Sequence, residues 1–306
     1  MTGPCEEPDS FLNCRQGDVI AVPSGMLGAI AVAGSETTDV AVISQSCDVV
    51  REDREWITVA VVEEVSQNAH LAARGSMPQY VPLHEIGPTK FIDLDRVASL
   101  KKADIVSLPR TPGVSPTDWD AVRRLSRGLG RKFSRFAFPD AVVPWFDPLR
   151  PYFEGKHEKQ SSVGRTFRAI SELRVQSEDW SAGGSATKLH VIVKAEELPE
   201  SDEAKISADV LALGQNPSVQ AICDLVRPSE SVSRGGADGL ELWNLLADAL
   251  AILCMSKAKK DSVAGASDAI SSIAGQVWSE NDFSLSLYRR SEMLDLDHLS
   301  SPAVGI

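Results

Sequence analysis

Four short runs rich in valine and isoleucine crowd the start of this chain: GDVIAV at 17–22, AIAVA at 29–33, DVAVIS at 39–44 and ITVAVV at 57–62. β-branched side chains favour pleated structure, and the Gly, Ser, Thr and Asp clusters between the runs favour turns. No helical crossover fits into gaps this short, so the strands are expected to pair antiparallel. Closure is the usual way to hide the edges of such strands, which predicts a small antiparallel β-barrel-like module.

Further along, YVPL at 80–83 and FIDL at 91–94 alternate apolar and polar residues, with Pro78, Pro82 and Pro88 marking edges or turns. Both read as edge strands. Asp93 and Asp95 then share one side of the second, as charges that keep a wet edge soluble. The segment SPTDWDAV at 115–122 looks like a helix start, with Pro116 near the first helical position and Asp118 and Asp120 at the positive end of the dipole. Val122, Leu125, Leu129, Phe133 and Phe136 continue it at helical spacing, although Gly128 and Gly130 each weaken a helix by roughly 1 kcal/mol against Ala.

Pro139, Pro144, Pro148 and Pro151 interrupt regular structure and mark a boundary. Beyond it, Phe167 to Val175 and Lys188 to Lys194 read as two strands joined by a turn containing Gly183 and Gly184. Leu240 to Met255 carries the strongest helical pattern, with Leu242, Leu245, Leu246, Ala249, Leu250 and Leu253 on a broad apolar face. A second helix is expected over 266–279, where Ile270, Ile273 and Val277 fall on one stripe. The polar connector KAKKDSVAGAS suits a surface link between antiparallel helices. The fold class is therefore α+β. A β-rich, barrel-like module spans 1–112, a basic helix and Pro-rich bridge 113–150, and a β-hairpin with C-terminal helices 151–306.

The 306 residues exceed one typical domain and suffice for two self-sufficient cores. A net charge of −12 opposes a protein that coats nucleic acid over most of its surface, though a local basic site remains compatible with it. Cys5, Cys14, Cys47, Cys223 and Cys254 are odd in number and lack a CxxC pair, which points away from disulfide frameworks and zinc modules and towards a reducing cytoplasm. Residues 1–12 lack a signal-peptide core, and no uninterrupted apolar run reaches membrane-spanning length, so no membrane role is expected. Phosphate loops, HExxH, GxSxG and dinucleotide fingerprints are missing, and no cofactor or metal is expected.

Two constellations carry possible chemistry. SQSCD at 44–48 follows an apolar strand and presents five side chains able to donate, accept or ionise. As a catalytic group, Cys47 would be the nucleophile, Gln45 an oxyanion donor and Asp48 the residue orienting one of His70, His84, His157, His190 or His298. As a ligand-binding loop, it would offer Ser44 and its neighbours to a polar group. As plain structure, Cys47 would be a small buried hydrophobe while Ser44, Gln45 and Asp48 satisfy backbone groups at a turn. The second constellation is Arg123, Arg127, Arg131 and Arg135, spaced by four residues and joined by Arg124 and Lys132, with no acidic residue between 121 and 138. On a helix these form one basic ridge able to engage phosphates or carboxylates, or else a solvated face paired with carboxylates such as Asp295 and Asp297. A DxDH run, with Asp295, Asp297 and His298, is read as part of a docked tail rather than a metal site.

Gly17 and Asp18, the strand GDVIAV and the later DVAVIS together resemble the small barrel of plasmid-maintenance mRNA-interferase toxins, over about a fifth of the chain. In such toxins a glycine and aspartate open the first strand and a later apolar strand ends in serine. Where they carry basic residues and proline between those strands, this chain has GSETTD. The whole chain also resembles uncharacterised prokaryotic proteins with a Ser-Gln-x-Cys-Asp signature, here Ser44, Gln45, Cys47 and Asp48. That likeness implies a setting among mobile-element or defence genes, with a protein partner encoded nearby.

The leading expectation is noncatalytic recognition of an anionic ligand or partner, whether nucleic acid, nucleotide or acidic protein, by a prokaryotic defence or toxin–antitoxin-related protein. The arginine ridge beside the SQSCD loop would carry it. The alternatives are a cysteine-dependent hydrolase or transferase using Cys47, and a ribonuclease of the toxin-barrel type.

Overall fold

A computed structural model describes residues 11–156, 159–180, 183–200, 205–215, 217–227, 235–258 and 266–296. The chain divides into two compact units, Met1–Arg135 and Phe136–Ile306, and the architecture is α+β in both senses of the sequence pattern: strands early, helices and strands mixed later.

In the first unit, β1 (Val19–Pro23), β2 (Thr37–Val42), β3 (Trp56–Glu64), β4 (Tyr80–Pro82), β5 (Lys90–Lys101) and β6 (Arg110–Thr111) form a six-stranded antiparallel sheet in the order β4-β5-β3-β2-β1-β6. Among the described residues the sheet does not close into a barrel. Its ends are instead blunted by strands of only three and two residues, a second way of hiding edges. The run at 29–33 is not a strand. β1 already has β2 on one side and β6 on the other, so Gly28–Ile30 closes a 3₁₀ turn, with Ala31 N–H donating to the Gly28 carbonyl.

Strand alternation sorts the apolar side chains onto two faces. Ile20, Val22, Val40, Val42, Ile57, Val59 and Leu100 line one, together with Phe11, Cys14 and Val49. Val19, Ala41, Ala60, Val62, Ile92 and Leu94 line the other, against helix α1 (Trp119–Phe133). α1 starts at Trp119 because the Asp118 carboxylate caps it, accepting from the Asp120 and Ala121 amides at 3.0 and 2.9 Å. Pro116 therefore lies ahead of the helix. Leu125 and Leu129 are buried, and Gly128 brings the helix close to Val81, whose Cγ2 would stand 2.8 Å from an added Cβ.

Opposite the register shift between Ala60 and Val61, β5 bulges, so that Asp93 pairs with Val61 and Val97 with Ala60. The bulge changes the expected role of Asp93. It is buried rather than on a wet edge, and it accepts from Arg96 Nε at 2.6 Å and from the Asp95 amide.

In the second unit, β7 (Ile170–Ser177), β8 (Ser185–Val193), β9 (Ile270–Ser279) and β10 (Glu292–Met293) form a mixed sheet in the order β10-β7-β8-β9. β7 and β8 are the expected antiparallel pair, and β9 adds in parallel to β8. β9 overturns the helix expected over 266–279. Its Ile and Val spacing mimics a helix, but β-branched residues interleaved with Ser and Gly are poor helix formers, and a parallel slot beside β8 accepts them. The expected Pro-rich break instead holds short helical turns, Val143–Phe146 and Asp147–Leu149, with proline in the first turn, where its missing N–H costs nothing. Helices α2 (Val219–Val226) and α3 (Gly236–Ala258) complete the core. α3 packs so tightly on β9 that a Cβ at Gly275 would lie 2.2 Å from the Ala247 backbone. By length and composition α3 meets the test for a membrane-crossing helix, yet more than half of its apolar window is buried within this unit.

Candidate functional site

Two stretches far apart in sequence meet at the C-terminal end of β2. Gly17 N–H donates to the Val42 carbonyl at 2.8 Å and Val42 N–H returns a bond to Asp18, so RQGD at 15–18 lies alongside the strand that feeds SQSCD. Gln16 bridges the two: its backbone N–H donates to Ser46 Oγ at 3.0 Å and its side-chain amide to the Ile43 carbonyl at 2.8 Å. Gly17 has φ +94, a left-handed conformation that favours glycine, and a Cβ there would meet Leu125 Cδ2 of α1 at 2.8 Å.

Within SQSCD, Ser44 Oγ accepts from the Thr58 amide at 2.7 Å and ties the strand end to β3. Gln45 turns the chain, its carbonyl accepting from the Asp48 and Val49 amides, and Ser46–Val49 form a single helical turn. Val49 plugs the turn into the core beneath. Cys47 is exposed, not the small buried hydrophobe of the structural alternative, and its thiol donates to Gln45 Oε1 at 3.7 Å. Asp48 is exposed in the same turn.

Below this turn lies a half-buried charged cluster. Asp18 is buried, accepts from the Arg15 amide at 2.8 Å, and has its pKa pushed up chiefly by burial. Burial first, and the adjacent Asp18 second, push the Cys14 thiol up to about 12, so Cys14 stays a neutral thiol. Lys102 donates to the Arg51 carbonyl at 2.6 Å and is lowered chiefly by burial, while Arg51 pairs with Asp53.

Among the described residues no side chain is placed as a base for Cys47. No histidine hydrogen-bonds to it among the described residues, and Gln45, the intended oxyanion donor, presents an accepting oxygen to the thiol. His70 and His84 are exposed in the first unit, whereas His157 and His298 lie outside the described residues. His190, in the second unit, is fully buried and neutral. Trp278 Nε1–H donates to its Nδ1 at 3.0 Å, which leaves the proton on Nε2, 3.1 Å from Gln176 Oε1, and burial pulls its pKa down to about 4.

The arginine ridge forms, but its members part company. Arg123 pairs with Asp120 at 3.3 Å and Arg124 with Asp118 at 3.8 Å, all four side chains at least half exposed. Arg131 turns to the Gly75 carbonyl and Lys132 to Asp95, fastening the end of the helix to the unit. Arg135 lies beyond the C-cap, Ser134. Arg127 is exposed and makes no ion pair or side-chain hydrogen bond among the described residues. Carboxylates that meet the ridge include those of its own helix start and of β5. In the tail, Asp297 is not described, but Leu294 and Leu296 are buried as a docked segment requires.

SQSCD and the ridge are not brought together on one surface. Val49 anchors the former in the core on one face of the sheet, and Leu125 and Leu129 anchor the latter on the opposite face. Two features escaped the sequence. Gln16 carries no motif beyond its place before Gly17. A small cleft of about 60 Å³ at the start of α1, with His84, Glu85, Ser115, Asp118 and Arg124 among its lining, depends on long-range packing. Among the described residues no cluster of His, Cys, Asp and Glu could hold a metal ion. Neither a known protein-family model nor a curated protein matches the chain.

Proposed function

We propose that this chain works by noncatalytic recognition, binding an anionic ligand or partner on the outward face of α1. The observation that supports this reading most is the state of its arginines. Arg127 has no carboxylate partner among the described residues, and Arg123 is held only by an exposed pair within one helical turn. Such pairs contribute about 0–1 kcal/mol, so an incoming phosphate or carboxylate can replace them at little cost. The face is cationic within a chain of net charge −12, which concentrates attraction for an anion in one place.

The setting we propose is a prokaryotic, cytoplasmic defence or toxin–antitoxin-related protein with a partner encoded nearby. It rests on the likeness carried by Ser44, Gln45, Cys47 and Asp48. In this reading the SQSCD turn is a structural junction with RQGD, not a catalytic centre. A cysteine-dependent hydrolase or transferase keeps one point in its favour, the exposed Cys47 thiol. A toxin-barrel-type ribonuclease would need the six-stranded sheet to act as a barrel, and GSETTD, which leads into β2 and forms its start, offers no cation to a phosphate.

The reading is tested by measuring binding of the full chain to labelled RNA, DNA and polyglutamate over a salt series, beside Arg123→Glu with Arg127→Glu. Binding that falls steeply with salt and is lost in the double variant supports it. Absence of binding to every polyanion, or binding indifferent to both charges, refutes it.

A further inference from the structure

We infer that the outward face of α1 is a platform for single-stranded nucleic acid, an inference that rests on the recognition proposed above and names its ligand. Trp119, Arg123, Arg127 and Gly130 follow one another at intervals of four, four and three residues, a single stripe along a helix. Phe133 stands three residues further on at the edge of that stripe. Trp119 is 69% exposed and Phe133 58% exposed, so neither ring serves the core. At 1.5 Å per residue they sit about 21 Å apart along the helix, with two guanidinium groups between them. Rings for base stacking that bracket arginines for the backbone are what a sequence-tolerant single-strand surface requires. A duplex keeps its base faces stacked away from such rings.

Gly130 supplies an independent observation. The two glycines of α1 differ in their surroundings. At Gly128 an added Cβ would press on Val81 at 2.8 Å, so packing explains that glycine. At Gly130 the nearest atom to an added Cβ is Ser134 Oγ at 4.0 Å, and the position is exposed. Packing does not call for a glycine there, and an exposed helical site would ordinarily favour another residue. A bare stretch of helix backbone between Arg127 and Phe133 instead leaves room for a base or sugar to approach closely. Charge agrees with this occupant: Asp120 is the one acidic side chain of α1 after its N-cap, and its exposed pair with Arg123 can yield to a phosphate.

The test uses the full chain with fluorescently labelled homothymidine and homouridine oligonucleotides of about fifteen nucleotides, a duplex of the same length, and polyglutamate. Single strands are expected to bind best, and comparison of the two strands tells DNA from RNA. Trp119→Ala with Phe133→Ala should weaken single-strand binding about tenfold or more at unchanged thermal stability. Trp119→Phe with Phe133→Tyr should retain it. Arg123→Gln with Arg127→Gln should weaken binding and reduce the salt slope by about 1.4. Gly130→Ala should weaken binding several-fold although it strengthens the helix. The inference is overturned if the alanine pair binds single strands within about twofold of the original protein. If polyglutamate or duplex binding then still depends on Arg123 and Arg127, the broader reading survives alone. If no polyanion binds, both fall.

Discussion

The helices α1 and α3 put their surfaces to opposite ends. α3 is apolar around most of its circumference and buries Leu242, Trp243, Leu246, Leu250 and Cys254, so its surroundings are fixed on nearly every side. α1 buries only Leu125 and Leu129 and leaves a tryptophan, a phenylalanine and several arginines to solvent. Even the close approaches differ in kind. Gly275 meets the backbone of α3, which cannot yield, whereas Gly128 of α1 meets a valine side chain, which can shift by small amounts. Where most of a surface is committed to packing, substitutions read out stability. Where little is committed, they read out binding.

The contrast breaks first at Gly275. A Cβ placed 2.2 Å from the Ala247 backbone cannot be accommodated without moving α3 off β9. Gly275→Ala is therefore expected to cost about 4 kcal/mol or more, or to abolish folding of the second unit, in urea unfolding. Retention of stability within about 1 kcal/mol would mean that α3 is not held as described.

The second expected effect is on pH dependence in the same sheet. Neutral His190 has a folded pKa of about 4 against 6.5 when free. Below pH 6.5 the unfolded chain takes up a proton that the folded chain refuses until about pH 4. The contribution of His190 is therefore complete above 6.5 and falls as the pH drops through that window, by at most about 3 kcal/mol. The stability advantage of the original protein over His190→Gln should shrink accordingly between neutral pH and pH 4. A constant difference would show that the histidine is not locked by Trp278 and Gln176.

Smaller effects sharpen the account of α1. Asp118→Ala removes the cap that receives two amides and should cost about 1 kcal/mol in thermal unfolding of the first unit. Gly130→Ala should stabilise by up to about 1 kcal/mol, while Gly128→Ala should destabilise, because Val81 must move. Equal responses at the two glycines would erase the distinction between a packed and an open helix face.

Much of this was legible from local pattern. The strands β1, β2 and β3 follow from dense β-branched runs, and α3 follows from leucine spacing too broad for anything but a core helix. β9 is not legible in this way, because Ile270, Ile273 and Val277 satisfy helical spacing and only the place beside β8 decides between the two periods. The run at 29–33 failed for the converse reason: its composition suits a strand, but β1 had no edge left to pair with it. Of the candidate site, the basic ridge and the exposed SQSCD turn were visible as residue types. That they anchor on opposite faces of one sheet was not.

By itself, then, the sequence determined which segments carry apolar periodicity, where α1 collects its arginines, and that the chain as a whole is acidic. Tertiary structure alone decided that Gln16 closes onto Ser46, that Arg131 and Lys132 are spent on fastening α1 while Arg127 is left to solvent, and that Gly275 touches a helix backbone. The physical reason is range. Periodicity and charge are set by neighbours a few positions apart, whereas pairing partners, burial and contact are set by which distant segments win the limited places on a sheet.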